Sequence, residues 1–574
     1  MARRSFGWIQ DAGDIFKLRT IAEIFVFDSK INKELRLFKL PKLIRDKQLL
    51  KRFIEELSSQ NIIIPYTDLK GRGPLRGETR SNASCSGIAQ AIFKAQNGRE
   101  YQSDWATESY IRFAVSTGIL NYDRDSDTCS LSDFGKKLIN TELNSKEEKE
   151  CLGCALLSYP PVSRILSLLS NSSNPLSKYQ LGRNLGFIGE KGFSSFKESL
   201  IFSAMAEADK KELKDIKSNS EGTSDKYARM ICSWLEKLGW VTSKRVQESF
   251  ISSSGFTKTF CVQKYEITLL GQQNFNRSLG KSSHSKRPKI VMAEMLATAE
   301  NDVAVLRKRR AVILKYILNN RKTTNDIKLQ LEDYDFVSNE ATIIDDIKGL
   351  INIGINISSN SEGYRVEDEI IGLEIPEIKK EKDAIISYND IKDNIRSYLK
   401  LVNHKYLSLL DYSVDPKNYV LFEMETIDLI QNELGFKACH LGYSNKPDGL
   451  MSVDNHGVII DNKAYSKGFK LDVGFRREMK DYILENQSRD PKINSTKWWE
   501  NFPNTDSSFS FLFVSSSFNG KVKENIESLS YETKTNGAVI TAENLLKLAE
   551  KIKEKSLTNQ AFINLLCSNN EIII

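Results

Sequence analysis

Three residues toward the C-terminal end have the types and spacing of a metal-dependent phosphodiester site. Pro447-Asp448-Gly449 precedes Asp461-Asn462-Lys463, with twelve residues between the two aspartates. Two carboxylates converging from neighbouring sheet elements can hold a hard cation such as Mg²⁺ through oxygen. Such a cation polarises a phosphate and acidifies a bound water. In a strand, Asp461 and Lys463 point to the same face. The lysine can then orient the attacking water and offset phosphate charge. Ile459 and Ile460 precede Asp461, as expected where a buried strand delivers charge at its end. The spacing alone is weak, since average residue usage produces it in roughly one chain in ten of this length. The competing reading is a Pro-Asp-Gly turn followed by a strand with exposed charges.

The surrounding pattern supplies elements that could position these groups. Residues 387–435 are mostly helical in period. GVIIDNKAY (457–465) and FSFLFVSSS (509–517) read as strands, with a helix from Val473 to Glu485 between them. Strands alternating with helices imply an α/β sheet. Upstream, PEIKKEKDAII (376–386) is polar and charged and reads as a linker.

Before the linker, a weak repeat appears three times: an amphipathic helix, a glycine, then strand-like segments. The copies are SYIRFAVSTGILNY with CSLSDFGKKL, KYARMICSWLEKLGWVTS with KYEITLLGQQNF, and TIIDDIKGLINIGINIS with GYRVEDEI. Gly118, Gly239 and Gly354 stand where a helix end favours a left-handed residue. The first two copies close with a Ser/Thr-x-x-Gly turn, Ser132 to Gly135 and Thr268 to Gly271. Helix, helix, hairpin is a winged-helix-like pattern related to helix-turn-helix. Such units lay a helix in the major groove, although some serve protein contacts instead.

The 574 residues predict about three to five domains. With 40% apolar and 27% charged residues, the composition excludes a largely disordered chain, a collagen and a disulfide-stapled mini-protein. The net charge of +7 hides an asymmetry: residues 1–350 carry +13 and residues 351–574 carry −6. A basic front half suggests a polyanion partner. Its positive charge includes Lys281, Lys286, Arg287, Lys289 and the run Arg307-Lys308-Arg309-Arg310, which could equally be a solvated helix face. Eight scattered cysteines suit reduced thiols. The lone pair Cys151 and Cys154 lacks the second pair or histidines of a zinc site. No signal-peptide-like start and no apolar run of membrane length appear, and a cytoplasmic chain with no membrane partner is expected.

Several segments resemble the FokI-type type IIS restriction endonucleases of the PD-(D/E)xK nuclease superfamily. In the second half these are KACHLGYSNKPDG, GVIIDNKAYSKGF, REMKDYILENQSRD and INSTKWWENFP. In the first half they are FGWIQ, LSYPPVSRILSLL, GRNLGFIGEKGF, SDKYARMICSWLEKLG and DIKGLINIGI. The resemblance implies a multidomain α+β and α/β chain, with three winged-helix-like DNA-recognition subdomains before a restriction-endonuclease-like α/β/α domain. The expected bounds are 1–148, 149–282 and 283–375 for recognition, 376–386 for the linker and 387–574 for cleavage.

The family's catalytic acids fall on Asp448 and Asp461, its lysine on Lys463, and a further helix-borne acid on Glu423. The implied cofactor is Mg²⁺, with Mn²⁺ as a substitute, held by Asp448, Asp461 and the carbonyl of Asn462; the prototype has Thr at that last position. DNA-contacting positions fall on Gln10, Asp11, Arg80, Trp105, Ser218, Glu221, Lys226 and Arg229. Arg80 and Lys226 suit guanine, and Glu221 a cytosine amino group. Asp11 and Ser218 replace asparagines of the prototype, and Asp cannot donate, which argues against an identical target; a short asymmetric site close to GGATG is expected.

The cleavage domain is expected to pair transiently with a second copy on DNA. The contact falls on Arg477 and Asp481, in reversed charge order, which a self-complementary interface permits; an intrahelical Arg477–Asp481 pair is the alternative. The implied activity is a Mg²⁺-dependent double-strand cut at a fixed distance outside the site, leaving 5′-phosphate ends, in a cell carrying a cognate methyltransferase. The alternative is a winged-helix DNA-binding regulator with an inactive nuclease domain, against which the intact Asp448, Asp461 and Lys463 stand. A strand-joining transposase or recombinase ranks third.

Overall fold

The computed structural model describes residues 6–79, 83–95, 98–193, 195–208, 213–214, 216, 223–251, 257–281, 287–298, 303–377, 383–442 and 445–574. The three repeats fold alike. In the first, α1 (Asp104–Ser116) leads into β1 (Leu120–Asp123) and β2 (Thr128–Leu131), with the short strand Ile63–Pro65 on the other edge of β2. In the second, α2 (Thr223–Lys237) leads into the long hairpin of β3 (Val241–Ile251) and β4 (Thr257–Ile267), completed by Leu176–Ser177. In the third, α3 (Glu340–Asn352) precedes β5 (Ile357–Asn360) and β6 (Gly363–Val366), and Lys322 bridges to Tyr364. Gly118, Gly239 and Gly354 have φ of 74°, 72° and 105°, which only glycine adopts freely.

The Ser/Thr-x-x-Gly segments are not closing turns. Ser132 Oγ accepts from Gly135 N at 2.8 Å and Thr268 Oγ1 from Gly271 N at 3.0 Å. Each is the N-cap of another helix, Asp133–Ile139 and Leu269–Ser278. A side-chain oxygen three residues ahead of a free N–H is capping geometry, and the apolar residues that follow continue the helix.

One hydrophobic core runs through all three units. Trp234 of α2 is fully buried and donates Nε1 to the Ala12 carbonyl at 2.6 Å; Trp8 donates to Met295 O at 2.9 Å. The basic clusters read from sequence divide here. Arg309 and Arg310 are buried, with Arg309 Nε 2.7 Å from Asp346 Oδ2 and Arg310 Nε 2.8 Å from Asp346 Oδ1. Arg310 also pairs with Glu190, and buried Lys289 pairs with Asp368 at 2.8 Å. These cations hold the interior together and do not form a phosphate-facing surface. Lys286 lies outside the described residues.

Residues 376–377 precede an undescribed stretch, and α4 (Asp383–Tyr398) already begins inside the segment read as linker. Beyond it come α5 (Tyr419–Leu429), β7 (Lys437–His440), β8 (Gly449–Val453), β9 (His456–Lys463) and α6 (Val473–Ser488). The chain finishes with β10 (Ser508–Ser515), α7 (Val522–Thr533), β11 (Gly537–Thr541), α8 (Ala542–Lys553) and β12 (Glu571–Ile572). The strands form one six-stranded sheet in the order β7-β8-β9-β10-β11-β12, antiparallel across β7, β8 and β9 and parallel thereafter. Val458 and Ile460 enter the core under α5 and α8, while Ile459 enters the core under α6 and α7. That alternation follows from the strand period of two and gives an α/β/α sandwich.

The two halves pack together. Tyr179, Phe196, Ile201 and Val262 share a core with Tyr406, Tyr412 and α5. Ion pairs cross the same boundary: Arg309 Nη1 to Asp393 at 2.8 Å, and Arg396 Nε to Asp345 at 3.2 Å. No single helix among the described residues is long and apolar enough to cross a membrane.

Candidate active site

On one edge, β9 pairs with β8 only as far as Ile460 opposite Gly449. On its other edge it runs parallel to β10 through Lys463 opposite Ser515. Asp461, Asn462 and Lys463 therefore have one open edge. Asp448, the residue before β8, fills it: the Asn462 N–H donates to Asp448 Oδ2 at 2.6 Å. At Gly449 α5 approaches closely: a Cβ there would lie 2.5 Å from Ile427 Cδ1, which would have to shift.

Alternation along β9 then sorts the side chains. Asp461 and Lys463 share the α6 face, with Lys463 Nζ 2.9 Å from Asp461 Oδ1. Asn462 points to the α5 face, where its Nδ2 donates to Thr426 Oγ1 at 2.7 Å. The Pro-Asp-Gly sequence is thus no plain surface turn, and the strand's charges are not exposed: Asp461 is 2% exposed and the Lys463 side chain 12%. Burial pushes the Asp448 carboxyl well above its usual range, and Glu423 and Asp461 push it further. Asp461 is raised as well, by burial, against the pull of Lys463. Burial alone would lower Lys463, but Asp461 and Asp448 outweigh it and raise its pKa.

Two neighbouring carboxylates whose pKa values are both raised are what a cation would relieve. Among the described residues Asp461 Oδ2 has no hydrogen-bond partner. The main-chain carbonyl of Asn462 lies on the same strand edge as its N–H. Among the described residues no group of three or more His, Cys, Asp or Glu side chains encloses a metal position. The donor set is therefore two carboxylates and a carbonyl, which fits Mg²⁺ because that ion keeps several of its waters.

Glu423, on α5, is buried and its Oε2 lies 3.0 Å from His440 Nε2. Sequence reasoning missed His440. Its signal was the hairpin register, since antiparallel pairing sets His440 opposite Gly449 and so beside the Pro-Asp-Gly segment. It missed Glu478 too. Glu478 Oε2 lies 3.3 Å from Lys463 Nζ, and the Phe475 ring lies 4.9 Å from the same nitrogen.

The expected DNA contacts fall in two places. Gln10 and Trp105 line one cleft of ≈ 260 Å³ together with Arg112 and Tyr227. Arg112 was not anticipated; it sits seven residues after Trp105, on the same face of α1. Lys226 and Arg229 of α2 line a second cleft, of ≈ 740 Å³, with Lys178 and the aromatic side chains of Tyr179, Phe202 and Phe260. Asp11 is exposed with φ 61°. Arg80, Ser218 and Glu221 lie outside the described residues. Arg477 and Asp481 are both exposed on α6, and no ion pair joins them among the described residues. They border a cavity of ≈ 780 Å³ with Glu478 and Tyr482. Cys151 and Cys154 lie on the helix Lys146–Leu157, and no disulfide joins any of the eight cysteines.

Comparison with known proteins covers both halves. The family described as FokI, cleavage domain, matches residues 385–573. FokI recognition-domain subdomains 1 and 2 match residues 4–141 and 148–283, and the FokI D3 domain matches 296–362. The chain is 36% identical over 564 residues to the type II restriction enzyme FokI of Planomicrobium okeanokoites, spanning 97% of this chain and 96% of that protein. It is 31% identical over 578 residues to the type II restriction enzyme StsI of Streptococcus sanguinis, spanning 97% and 94%. Solved structures of FokI, one of them bound to DNA, superpose with a TM-score of 0.89 at 34% identity over 100% of both chains.

Proposed function

Because the chain belongs to the FokI family of type II, site-specific restriction endonucleases, we propose that it is a Mg²⁺-dependent type IIS enzyme. It binds a short asymmetric duplex site close to GGATG and cuts both strands at a fixed distance to one side. The observation that carries this reading is the convergence of Asp448, Asp461 and Lys463 at the open end of β9.

Asp448, Asp461 and the Asn462 carbonyl would hold the cation. A divalent cation there supplies Lewis-acid polarisation of the scissile phosphate. The remaining work falls to the chain itself. Lys463 places a positive charge beside Asp461, where it can orient the attacking water and balance phosphate charge. Glu423, fixed by His440, bounds the acidic side of the site. In-line attack breaks the bond to the 3′ oxygen and leaves 5′-phosphate and 3′-hydroxyl ends.

Gln10, Trp105, Lys226 and Arg229 contribute contacts to DNA from the two clefts. Asp11 stands where an asparagine could have read adenine, so the prototype's exact target is not assigned to this chain. A second copy of the cleavage domain, pairing through Arg477 and Asp481, cuts the other strand. The enzyme works in a bacterial cytoplasm beside a cognate methyltransferase.

Run-off sequencing of plasmid ends after digestion with Mg²⁺ tests the reading. One short recognition sequence at a constant offset from every cut supports it. Cuts without a common upstream sequence, or none with Mg²⁺ or Mn²⁺, contradict it.

A further inference from the structure

Lys463 is held from two directions. Asp461, two residues back on its own strand, contacts Nζ at 2.9 Å, and Glu478 of α6 contacts it at 3.3 Å. The Phe475 ring lies 4.9 Å from the same nitrogen. Tyr482 donates its hydroxyl to Glu478 Oε1 at 3.4 Å, which turns the other carboxylate oxygen toward the lysine. Phe475, Glu478 and Tyr482 stand at i, i+3 and i+7 and form one stripe of α6.

A lysine ammonium is a point charge with three donors on a flexible stem. Its reach toward a phosphate depends on what fixes the stem. When a cation draws on Asp461 and a phosphate draws on Lys463, the grip of that carboxylate on the lysine weakens. Glu478 and Phe475 remain, and they leave one ammonium donor for substrate. We propose that Glu478 is a positioning residue for Lys463, and that through it the helix bearing Arg477 and Asp481 shapes the active site.

This inference rests on the nuclease reading above and deepens it. Residues 477 and 481 flank 478 on the helix proposed to meet the second copy. The pairing surface and the lysine's anchor therefore lie within one helical turn.

The test is single-turnover cleavage of a target duplex with Mg²⁺ over a series of enzyme concentrations, using the full chain and its Glu478→Ala and Glu478→Gln variants. Alanine favours the helix and Glu478 is 42% exposed at its side chain, so both variants should melt at the temperature of the unsubstituted protein. Glu478→Ala should lower the plateau rate about tenfold, as a loosened catalytic group does. Glu478→Gln, which keeps an oxygen acceptor, should fall between. Target affinity and the enzyme concentration giving half the plateau should not move.

A Glu478→Ala plateau equal to that of the unsubstituted protein overturns the inference. So does a deficit that vanishes at high enzyme concentration, because Glu478 would then act only on pairing. An unsubstituted protein that makes no cut overturns the nuclease reading and this inference with it.

Discussion

The backbone N–H of Asn462 donates to the Asp448 carboxylate across 2.6 Å. The two acidic elements of the site are therefore joined through main chain, and the middle position of the motif does its work without its side chain. That side chain points the other way, to Thr426.

Asn462→Ala should therefore separate folding from catalysis. It leaves the buried Thr426 hydroxyl without its partner, at a cost of about 1–3 kcal/mol. The melting temperature should fall by several degrees while the Mg²⁺-dependent cutting rate stays within about threefold. Loss of cutting in a folded variant would show that the side chain is needed.

Arg477→Asp should slow double-strand cutting at low enzyme concentration and accumulate nicked plasmid. The doubly reversed Arg477→Asp/Asp481→Arg protein should recover, because a two-fold interface keeps its complementarity when both signs flip. Each exposed pair contributes only about 0–1 kcal/mol, so the effect should shrink as enzyme concentration rises. Unchanged kinetics across the series would remove α6 as the pairing surface.

Asp346 predicts an acid limit on stability. Burial alone would raise its pKa, but Arg309 and Arg310 outweigh that and hold it at about 2, against 3.8 for the ordinary group. A depressed folded-state pKa stabilises the fold above the unfolded pKa and is lost as pH falls through the folded one. The contribution, about 2 kcal/mol, should be intact at pH 5 and disappear between about pH 4 and pH 2. Asp346→Asn should abolish that limb of the stability profile and lower stability at neutral pH, because it leaves two buried cations short of charge. Urea unfolding across that pH range measures both.

Lys226→Ala, in the cleft beside α2, should weaken target binding by about 1–3 kcal/mol and relax preference at one base pair. A uniform loss across all sequences would make Lys226 a phosphate contact instead.

Legibility in the sequence followed the range of the physics involved. The strand His456–Lys463 was readable because apolar residues run up to Asp461, and Asp461 and Lys463 then had to share a face. The helix Val473–Ser488 and the left-handed glycines 118, 239 and 354 were readable for the same local reason. Arg309 and Arg310 were misread, because charge in a sequence carries no sign of burial; their partners Asp346 and Glu190 lie 36 to 120 residues away in sequence. His440 and Glu478 escaped because register and helix packing, which no spacing rule reports, bring them to the site. Ser132 and Thr268 were seen, but as turn ends; only the helices after them show that they are caps.

The proposed nuclease assigns Asp461 to the cutting site and not to the reading half. The direct measurement pairs target binding with plasmid cleavage for Asp461→Ala, both with Mg²⁺ present. Target affinity should match that of the unsubstituted protein while cleavage is abolished. Cleavage by Asp461→Ala at the unsubstituted rate would contradict the claim.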